Sequence, residues 1–333
     1  KAETMTDRMD YLFTLGNNLV YCLALEKLID LPVPPRADAI RVILTELSRL
    51  RSHLLWLGTS TLDLGASSVF LYTFREQEMI LNLFELVSGQ RMMTTYIRPG
   101  GVWRDVPAQF NELVQQFLDI MPRRIDEYES LLTKNTLFKE RTQGVGKIDV
   151  PTCLAYNVSG PTIRAAGMPL DLRKANPYCG FEQYDFNIPT QTTGDVYGRY
   201  MVRVAEMRES LKIIQQALDK MPFGPTRTYN PKYIPPFRSE IGVSMESLIH
   251  HFKLYTEGFT PPAGSVYTAI ESPRGELGVF LESDGSPKPY RIHYRTPSIP
   301  LIHVISLLAK GAFVADMVAI ISSLSAILGD ADR

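Results

Sequence analysis

Apolar residues recur every three or four positions through most of this chain, a spacing typical of helices that bury one face. The first run predicts a helix that is entered at residues 7–12 and ends near Asp30, where prolines interrupt helical hydrogen bonding. Residues three and four apart share a helix face, so Arg8, Tyr11 and Asn18 should lie together. The pattern therefore predicts that the Tyr11 phenol lies beside a guanidinium and two carboxylates.

The same periodicity continues along the chain and changes once. It predicts helices at about 36–64, 70–87, 108–134 and 196–221, and a shorter helix capped by Ser244. From 265 to 295 the period becomes two, which predicts a small antiparallel meander. The predicted fold class is mainly α with this β meander, an α+β arrangement.

One domain is expected over residues 1–333, in parts that differ in pattern. They are a helical bundle at 1–141, an irregular insertion at 142–195, helices at 196–260, the meander at 265–295 and a C-terminal segment at 300–333. The C-terminal segment is so apolar that we expect it to be buried.

Polar residues form a line through the apolar 36–64 helix. We expect Arg49 and Arg51 to lie on a solvated face. The same expectation holds for the interleaved charges of the 196–221 helix, Arg203, Glu206, Arg208 and Glu209. Asp63 lies between two leucines, so it should be buried, with a partner or a raised pKa.

Composition narrows the class of protein. With 333 residues, 45% of them hydrophobic, and a net charge of -1, the chain can bury a large core and lacks the clustered positive charge of a nucleic-acid surface. Cys22, Cys153 and Cys179 stand too far apart to suggest a disulfide framework or a four-thiolate metal site. No apolar run reaches the roughly 18 to 20 residues that cross a bilayer. No helix cap follows Lys1, so we expect an N-terminal portion, with any targeting signal, to precede it.

Several motifs that follow in order along the chain support a family resemblance. They are Asp7-Arg8-Met9-Asp10-Tyr11, Leu62-Asp63-Leu64-Gly65-Ala66, Arg98-Pro99-Gly100-Gly101, the stretch from Ser244 to Lys253, and the closing Gly329-Asp330-Ala331-Asp332-Arg333. Across its length the chain resembles the quinone-site subunits of bacterial NADH:quinone oxidoreductase, respiratory complex I. That family is similar in fold to the large-subunit bundle of nickel-iron hydrogenases, and residues 271–278 resemble a strand-turn motif that the two share.

The resemblance implies a subunit that forms the quinone headgroup pocket, where quinone reduction is coupled to proton translocation. It implies that Tyr11 donates to the headgroup, a role that suits a phenol, whose reference pKa is about 10. It implies that Asp63 lies beside a histidine expected upstream of the chain, and that Thr59 and Ile327 line the pocket.

Two further residues, Arg8 and His53, are candidates for a proton relay. No cofactor is expected on this chain, because quinone is the substrate and electrons would come from a 4Fe-4S cluster in an adjacent small subunit. The other expected partners are peripheral-arm subunits, through which NADH would act, and a membrane-arm subunit at the quinone entrance, but no nucleic acid. The expected location is peripheral, on the cytoplasmic side of the cell membrane.

Two alternatives stay open. One is the large subunit of a nickel-iron hydrogenase, whose C-terminal thiol positions would fall on Ile327 and Asp330 and whose histidine would fall on Arg333. Isoleucine cannot ligate nickel or iron, so that half of the metal site is missing. The other is a non-catalytic scaffold of the same fold.

Two positions depart from the family pattern. Met93 stands where the family usually has a histidine near the cluster, so the pH dependence of the cluster's reduction potential should be weakened. Ser325 stands where aspartate is common. Both changes would suit a different quinone, such as a low-potential naphthoquinone.

Overall fold

The computed structural model describes residues 2–332, and its mainly helical fold with small antiparallel sheets confirms the predicted class. Arg333, one of the positions compared with hydrogenases, lies outside the described residues. Up to the end of the insertion the helices are α1 (Glu3–Thr6), α2 (Thr14–Ile29), α3 (Pro35–Asp63), α4 (Ser67–Ser88), α5 (Phe110–Leu132), α6 (Thr136–Thr142), α7 (Val150–Ala155), α8 (Pro161–Ala165), α9 (Leu172–Ala175) and the 3₁₀ turn η1 (Phe181–Gln183). The later helices are α10 (Val196–Asp219), α11 (Arg238–Ile241), α12 (Met245–Thr256), α13 (Ser298–Leu308), α14 (Val314–Leu324) and α15 (Leu328–Asp332).

The long helix α3 is at the centre of the molecule. It packs against α2, α4, α10 and α14, and its Leu47, Leu50 and Leu54 are fully buried in the main hydrophobic core. Pro35 is its first residue, where a fixed φ suits the helix and no hydrogen bond is lost. The predicted helices at 36–64, 70–87, 108–134 and 196–221 are thereby confirmed to within a few residues by α3, α4, α5 and α10.

Within the described residues, five strands form two sheets. They are β1 (Ile97–Arg98), β2 (Gly101–Val102), β3 (Gly264–Ser272), β4 (Gly275–Ser283) and β5 (Arg291–Arg295). The sheet β3-β4-β5 is the predicted antiparallel meander, with Ile270 opposite Leu277 and Leu281 opposite Ile292. Its apolar face packs on α2, which brings the β3–β4 turn close to the start of the chain.

The prediction of an unbroken first helix is wrong. Residues 7–13, which we name the Tyr11 loop, separate α1 from α2. Within it, Asp10 Oδ1 accepts a hydrogen bond from the Leu12 amide at 3.0 Å. An aspartate that bonds the backbone two residues on competes with helical hydrogen bonding and favours a turn. The expected helical stripe around Tyr11 therefore does not form.

The arginines and glutamates expected on solvated faces are mostly buried. Arg49, Arg51, Arg203, Glu206 and Glu209 all lie in the interior, which corrects that prediction. The reason is that α3 and α10 pack on each other, α10 also packs on α8 of the insertion, and Glu46 of α3 pairs with Arg173 of α9, so their polar faces are enclosed as well. Only Arg208 behaves as expected, because it is partly exposed and pairs with Asp126 and Glu129.

The enclosed charges form ion pairs between elements that are distant in sequence. Arg164 of α8 lies 2.7 Å from both Glu206 of α10 and Glu271 of β3. Arg173 of α9 contacts Glu46 of α3 at 3.1 Å. A buried charge is tolerated when it is paired and hydrogen-bonded, so these contacts hold the insertion against the helices.

The apolar C-terminal segment is only partly buried, contrary to the prediction. Leu301, Val304, Ile320 and Leu324 pack inward, but Phe313 between α13 and α14 is 81% exposed. Residues 2–332 contain no helix that combines the length and the apolar character needed to span a membrane.

We expect the Arg164→Met variant to be destabilised by about 3 to 5 kcal/mol, because it leaves two buried carboxylates without their cation. Urea unfolding of the purified chain measures this change. The control is Arg91→Met, which removes an exposed arginine paired with Glu78 and should leave the unfolding midpoint unchanged. Equal midpoints for the two variants would contradict a stabilising role for the buried pairs.

Candidate functional site

The Tyr11 side chain projects from its loop toward the C-terminal end of the chain. It is 38% exposed, and its hydroxyl has no hydrogen-bond partner among residues 2–332. The ring lies against Gly329 of α15, where an added Cβ would come within 3.4 Å of the ring and 2.8 Å of the Met9 carbonyl oxygen. A glycine at 329 therefore permits this approach, and the phenol remains free to donate to a ligand.

One arginine holds the Tyr11 loop and the C-terminal segment together. Arg274, in the β3–β4 turn, donates from Nη1 to Asp10 Oδ2. Its Nε donates to the Ser325 carbonyl oxygen at 2.8 Å. Both side chains are buried, so the ion pair fixes the residue that directly precedes Tyr11.

The C-terminal wall of the site is organised around Ser298. Its hydroxyl accepts a hydrogen bond from the Ile327 amide at 3.2 Å, and its own amide donates to Asp330 Oδ2 at 3.3 Å. Burial, together with repulsion from Asp10, raises the pKa of Asp330 to about 6, although Ser298 and Arg274 oppose the shift. Asp330 Oδ1 is buried without a hydrogen-bond partner.

These residues do not fit a nickel-iron centre. The two compared thiol positions carry an isoleucine and an aspartate, and soft thiolates are what such a centre requires. Within the described part of the chain, no three histidine, cysteine, aspartate or glutamate side chains are grouped closely enough to hold a metal ion.

The last turns of α3 carry Thr59 and Asp63. The Thr59 hydroxyl donates to carbonyl oxygens of its own helix, at 3.0 Å to Leu55. Asp63 is exposed at the helix end and makes no hydrogen bond or ion pair with residues 2–332, so the expectation that it is buried with a partner is wrong for this chain. The helix ends at Asp63, so no further turn encloses the side chain.

The structure brings only some of the predicted site residues together. Tyr11 lies against the segment that carries Ile327, and Ser60 of α3 contacts the same region through the Ser322 carbonyl oxygen at 3.3 Å. Ser48 contacts the Tyr11 loop, and a rise of about 1.5 Å per residue puts Asp63 roughly 22 Å further along the helix axis. This offset positions the backbone of the Tyr11 loop relative to Asp63, and the Tyr11 ring itself projects from that loop toward Gly329.

The two candidates for a proton relay lie in different environments. Arg8 is exposed and donates to the Thr4 carbonyl oxygen of α1. His53 is buried, with Nε2 only 3.1 Å from Glu206 Oε2. Burial lowers the pKa of His53 to about 4, although Glu206 opposes the shift, so the imidazole is neutral near pH 7.

Sequence reasoning missed the part that Arg274 and Asp10 play together. Both stand in motifs that support the family resemblance, at residues 271–278 and 7–11, but their pairing joins positions 264 residues apart. No spacing rule within one helix or strand predicts such a contact. The sequence showed a charged residue in each of the two motifs, but it did not show that the two residues form an ion pair.

Comparison with known proteins agrees with the resemblance found in the sequence. Residues 63–333 match the family described as the respiratory-chain NADH dehydrogenase 49-kDa subunit. The whole chain is 57% identical to the D 2 subunit of NADH-quinone oxidoreductase from Chloroflexus aurantiacus and covers 82% of it. It is also 57% identical to the D 2 subunit from Roseiflexus sp. strain RS-1, over 81% of that protein. The D 1 subunit from Solibacter usitatus is 52% identical over the whole chain, which covers 81% of that relative.

We expect His53 to make the chain less stable as the pH falls from 6.5 toward 4. In that window the unfolded chain binds a proton on this imidazole that the folded chain excludes, so folding weakens by about 2 kcal/mol between pH 6.5 and 5. Urea unfolding at both pH values should show a smaller pH dependence in His53→Gln than in the wild type. His250→Gln, at an exposed position of α12, is the control and should keep the wild-type dependence. An unchanged dependence in His53→Gln would rule out a neutral buried His53.

Proposed function

Because this chain belongs to the 49-kDa subunit family of respiratory-chain NADH dehydrogenase and is a component of an NADH-quinone oxidoreductase, we propose that it forms the quinone headgroup pocket of that complex. The observation that carries the proposal is the Tyr11 phenol. It is exposed and has no hydrogen-bond partner in the described chain. Its loop is fixed by the buried Asp10–Arg274 ion pair, and its ring packs against Gly329. A free donor on a rigid support is what recognition of a carbonyl oxygen requires.

The chemistry of quinone reduction assigns roles to the residues of this surface. The quinone gains two electrons and two protons, so its two oxygens need donors and a proton supply. Tyr11 would donate to one oxygen through its hydroxyl, which has no hydrogen-bond partner among residues 2–332. Ile327 would supply apolar contact to the ring, since its buried side chain lies in the segment that faces Tyr11.

The end of α3 would serve the other side of the pocket. Asp63 is an exposed carboxylate without a partner in the described chain, so it is free to orient a donor from outside it. The donor that the family resemblance implies is a histidine upstream of the chain. Thr59, one turn earlier on the same helix, would line the headgroup end. Arg8 and His53 remain the candidates for proton relay.

Electrons would reach the quinone from a 4Fe-4S cluster held by an adjacent small subunit. The three cysteines of this chain stand far apart, and Cys22 and Cys153 are buried, so they do not fit such a cluster. NADH would act only through other peripheral-arm subunits. The subunit would thus hold and orient the acceptor for electrons that arrive from elsewhere.

The exposed apolar residues of the C-terminal segment support a second contact. Phe313 and Val314 are more than 80% exposed, and Val318 and Ile321 follow on α14 with nearly half of their surface exposed. We propose that this patch faces the membrane-arm subunit at the quinone entrance, on the cytoplasmic side of the membrane. Reduction of quinone in the headgroup pocket would be coupled to proton translocation in that arm.

Tyr11→Phe should lower kcat/KM for a short-chain quinone by about tenfold or more, because one hydrogen bond to an oxygen that becomes charged is lost. NADH oxidation by ferricyanide should stay at the wild-type rate, since it bypasses the pocket. Steady-state assays on the purified complex measure both rates.

The matched control is Tyr290→Phe, which removes the hydroxyl of a tyrosine that is 70% exposed before β5. It should change neither rate. Wild-type quinone turnover in Tyr11→Phe would overturn the proposal and leave the scaffold alternative.

Met93→His should strengthen the pH dependence of the reduction potential of the cluster in the neighbouring subunit. Met93 lies half-buried in the segment that α2 holds through a hydrogen bond from Thr14 to the Met92 carbonyl oxygen, and methionine takes up no proton. Redox titration of the complex at several pH values should give a weak slope in the wild type and a steeper one in the variant. Met92→His is the control. A wild-type slope near the full 59 mV per pH unit expected for one proton per electron would contradict this prediction.

A further inference from the structure

The fully buried arginines differ in whether their guanidinium groups have a hydrogen-bond acceptor. Among residues 2–332, eight are less than 2% exposed, namely Arg41, Arg49, Arg51, Arg164, Arg173, Arg199, Arg203 and Arg274. Seven of them donate to a carboxylate, a hydroxyl or a backbone carbonyl oxygen. Arg51 alone forms no hydrogen bond or ion pair with residues 2–332, and its Nε and Nη1 are completely buried. An unpaired guanidinium in the interior is costly, so its acceptor should come from outside the chain.

The side chain of Arg51 lies beside the Tyr11 loop. Ser48, one turn earlier on α3, donates from its hydroxyl to the Leu12 carbonyl oxygen at 3.3 Å, and residues three apart share a helix face. Among the charges that act on the guanidinium, Asp10 attracts it and Arg91 repels it. Arg51 is therefore placed near the residue that directly precedes Tyr11.

Among residues 2–332, no acceptor lies within hydrogen-bond distance of the buried Arg51 nitrogens. Asp10 is the acidic residue that attracts it, but it forms no hydrogen bond or ion pair with Arg51, and each of its oxygens already accepts a hydrogen bond from another group. Oδ1 accepts from the Leu12 amide at 3.0 Å, and Oδ2 accepts from Arg274. Arg91 is held on the outside by Glu78 and adds only repulsion.

Arg51 keeps its positive charge in spite of its burial. Burial lowers the pKa of its guanidinium to about 10, with Asp10 opposing and Arg91 adding to the shift. At neutral pH the group is thus still a cation with free donors. A cation in a site of low dielectric favours an acceptor that carries or develops negative charge.

We propose that Arg51 is a substrate-binding residue whose guanidinium donates from Nη2, the nitrogen that is not completely buried, to an oxygen of the quinone headgroup, in addition to the donation from Tyr11. This inference rests on the proposed function, since it takes Tyr11 to mark the headgroup position. Arg51 transfers no proton and no electron. It binds the carbonyl oxygen before reduction and stabilises the negative charge on that oxygen until a proton arrives from elsewhere.

The experiment compares Arg51→Met, Arg51→Lys and Arg91→Met in the purified complex, with a short-chain quinone as the substrate. Arg51→Met should raise the KM for quinone by about tenfold or more, as expected for the loss of a hydrogen bond from a charged donor. Arg51→Lys keeps the charge but not the planar donor set, so its KM should lie between those of Arg51→Met and the wild type. Arg91→Met, which removes the neighbouring exposed arginine, should leave the KM unchanged. NADH oxidation by ferricyanide should be normal in all three variants.

Two results would overturn the inference. If the complex that carries Arg51→Met assembles and keeps the wild-type KM for quinone, then Arg51 does not bind the quinone, and water satisfies its guanidinium in the wild type. If Arg51→Met loses ferricyanide activity together with quinone activity, the missing acceptor belongs to an assembly contact with another subunit.

Tyr11→Phe separates this inference from the proposed function. If Tyr11→Phe lowers quinone turnover and Arg51→Met has no effect, only the assignment of Arg51 fails. If both variants turn over quinone at the wild-type rate, the proposed pocket fails as well.

Discussion

The pairing of charges inside the molecule is the constraint on which the structure depends. Helix α3 is enclosed on nearly every side, and yet it carries ionisable residues along its length. Each needs a partner from another element, because an unpaired charge in the interior is far more costly than a paired one. Arg41 pairs with Glu26 of α2, Glu46 pairs with Arg173 of α9, and His53 lies against Glu206 of α10. The apolar residues of α3 drive its burial, and its charges determine which elements lie beside it.

The proposed site follows the same rule. Arg274 must be neutralised where the meander meets the start of the chain, and Asp10 meets that need while its other oxygen holds the Leu12 amide. The loop cannot then continue the helix, so Tyr11 is presented at the surface. Arg51 shows the same requirement unmet, which sets it apart from the other fully buried arginines of residues 2–332.

Much of the fold was predictable, because helical spacing in α3, α4, α5 and α10 and alternation in β3 and β4 are local signals. The burial of Arg49, Arg203 and Glu206 was not, since periodicity records which positions are polar and not whether a partner on another element covers them. For the site, the family resemblance named Tyr11 and Ile327, and the structure places the segment that carries Ile327 against Tyr11. The contact between Asp10 and Arg274 could not be predicted, because it depends on how the meander docks on α2.

The contact between the Tyr11 loop and Gly329 has a consequence for the order in which the molecule is made. A ribosome adds Tyr11 near the beginning of this sequence and Gly329 almost at its end, so the wall they form is absent from every incomplete chain. The helices around α3 can assemble earlier from their own local and neighbouring contacts. Any nascent or truncated product that stops before α15 therefore has most of the fold and lacks the surface proposed to receive the substrate.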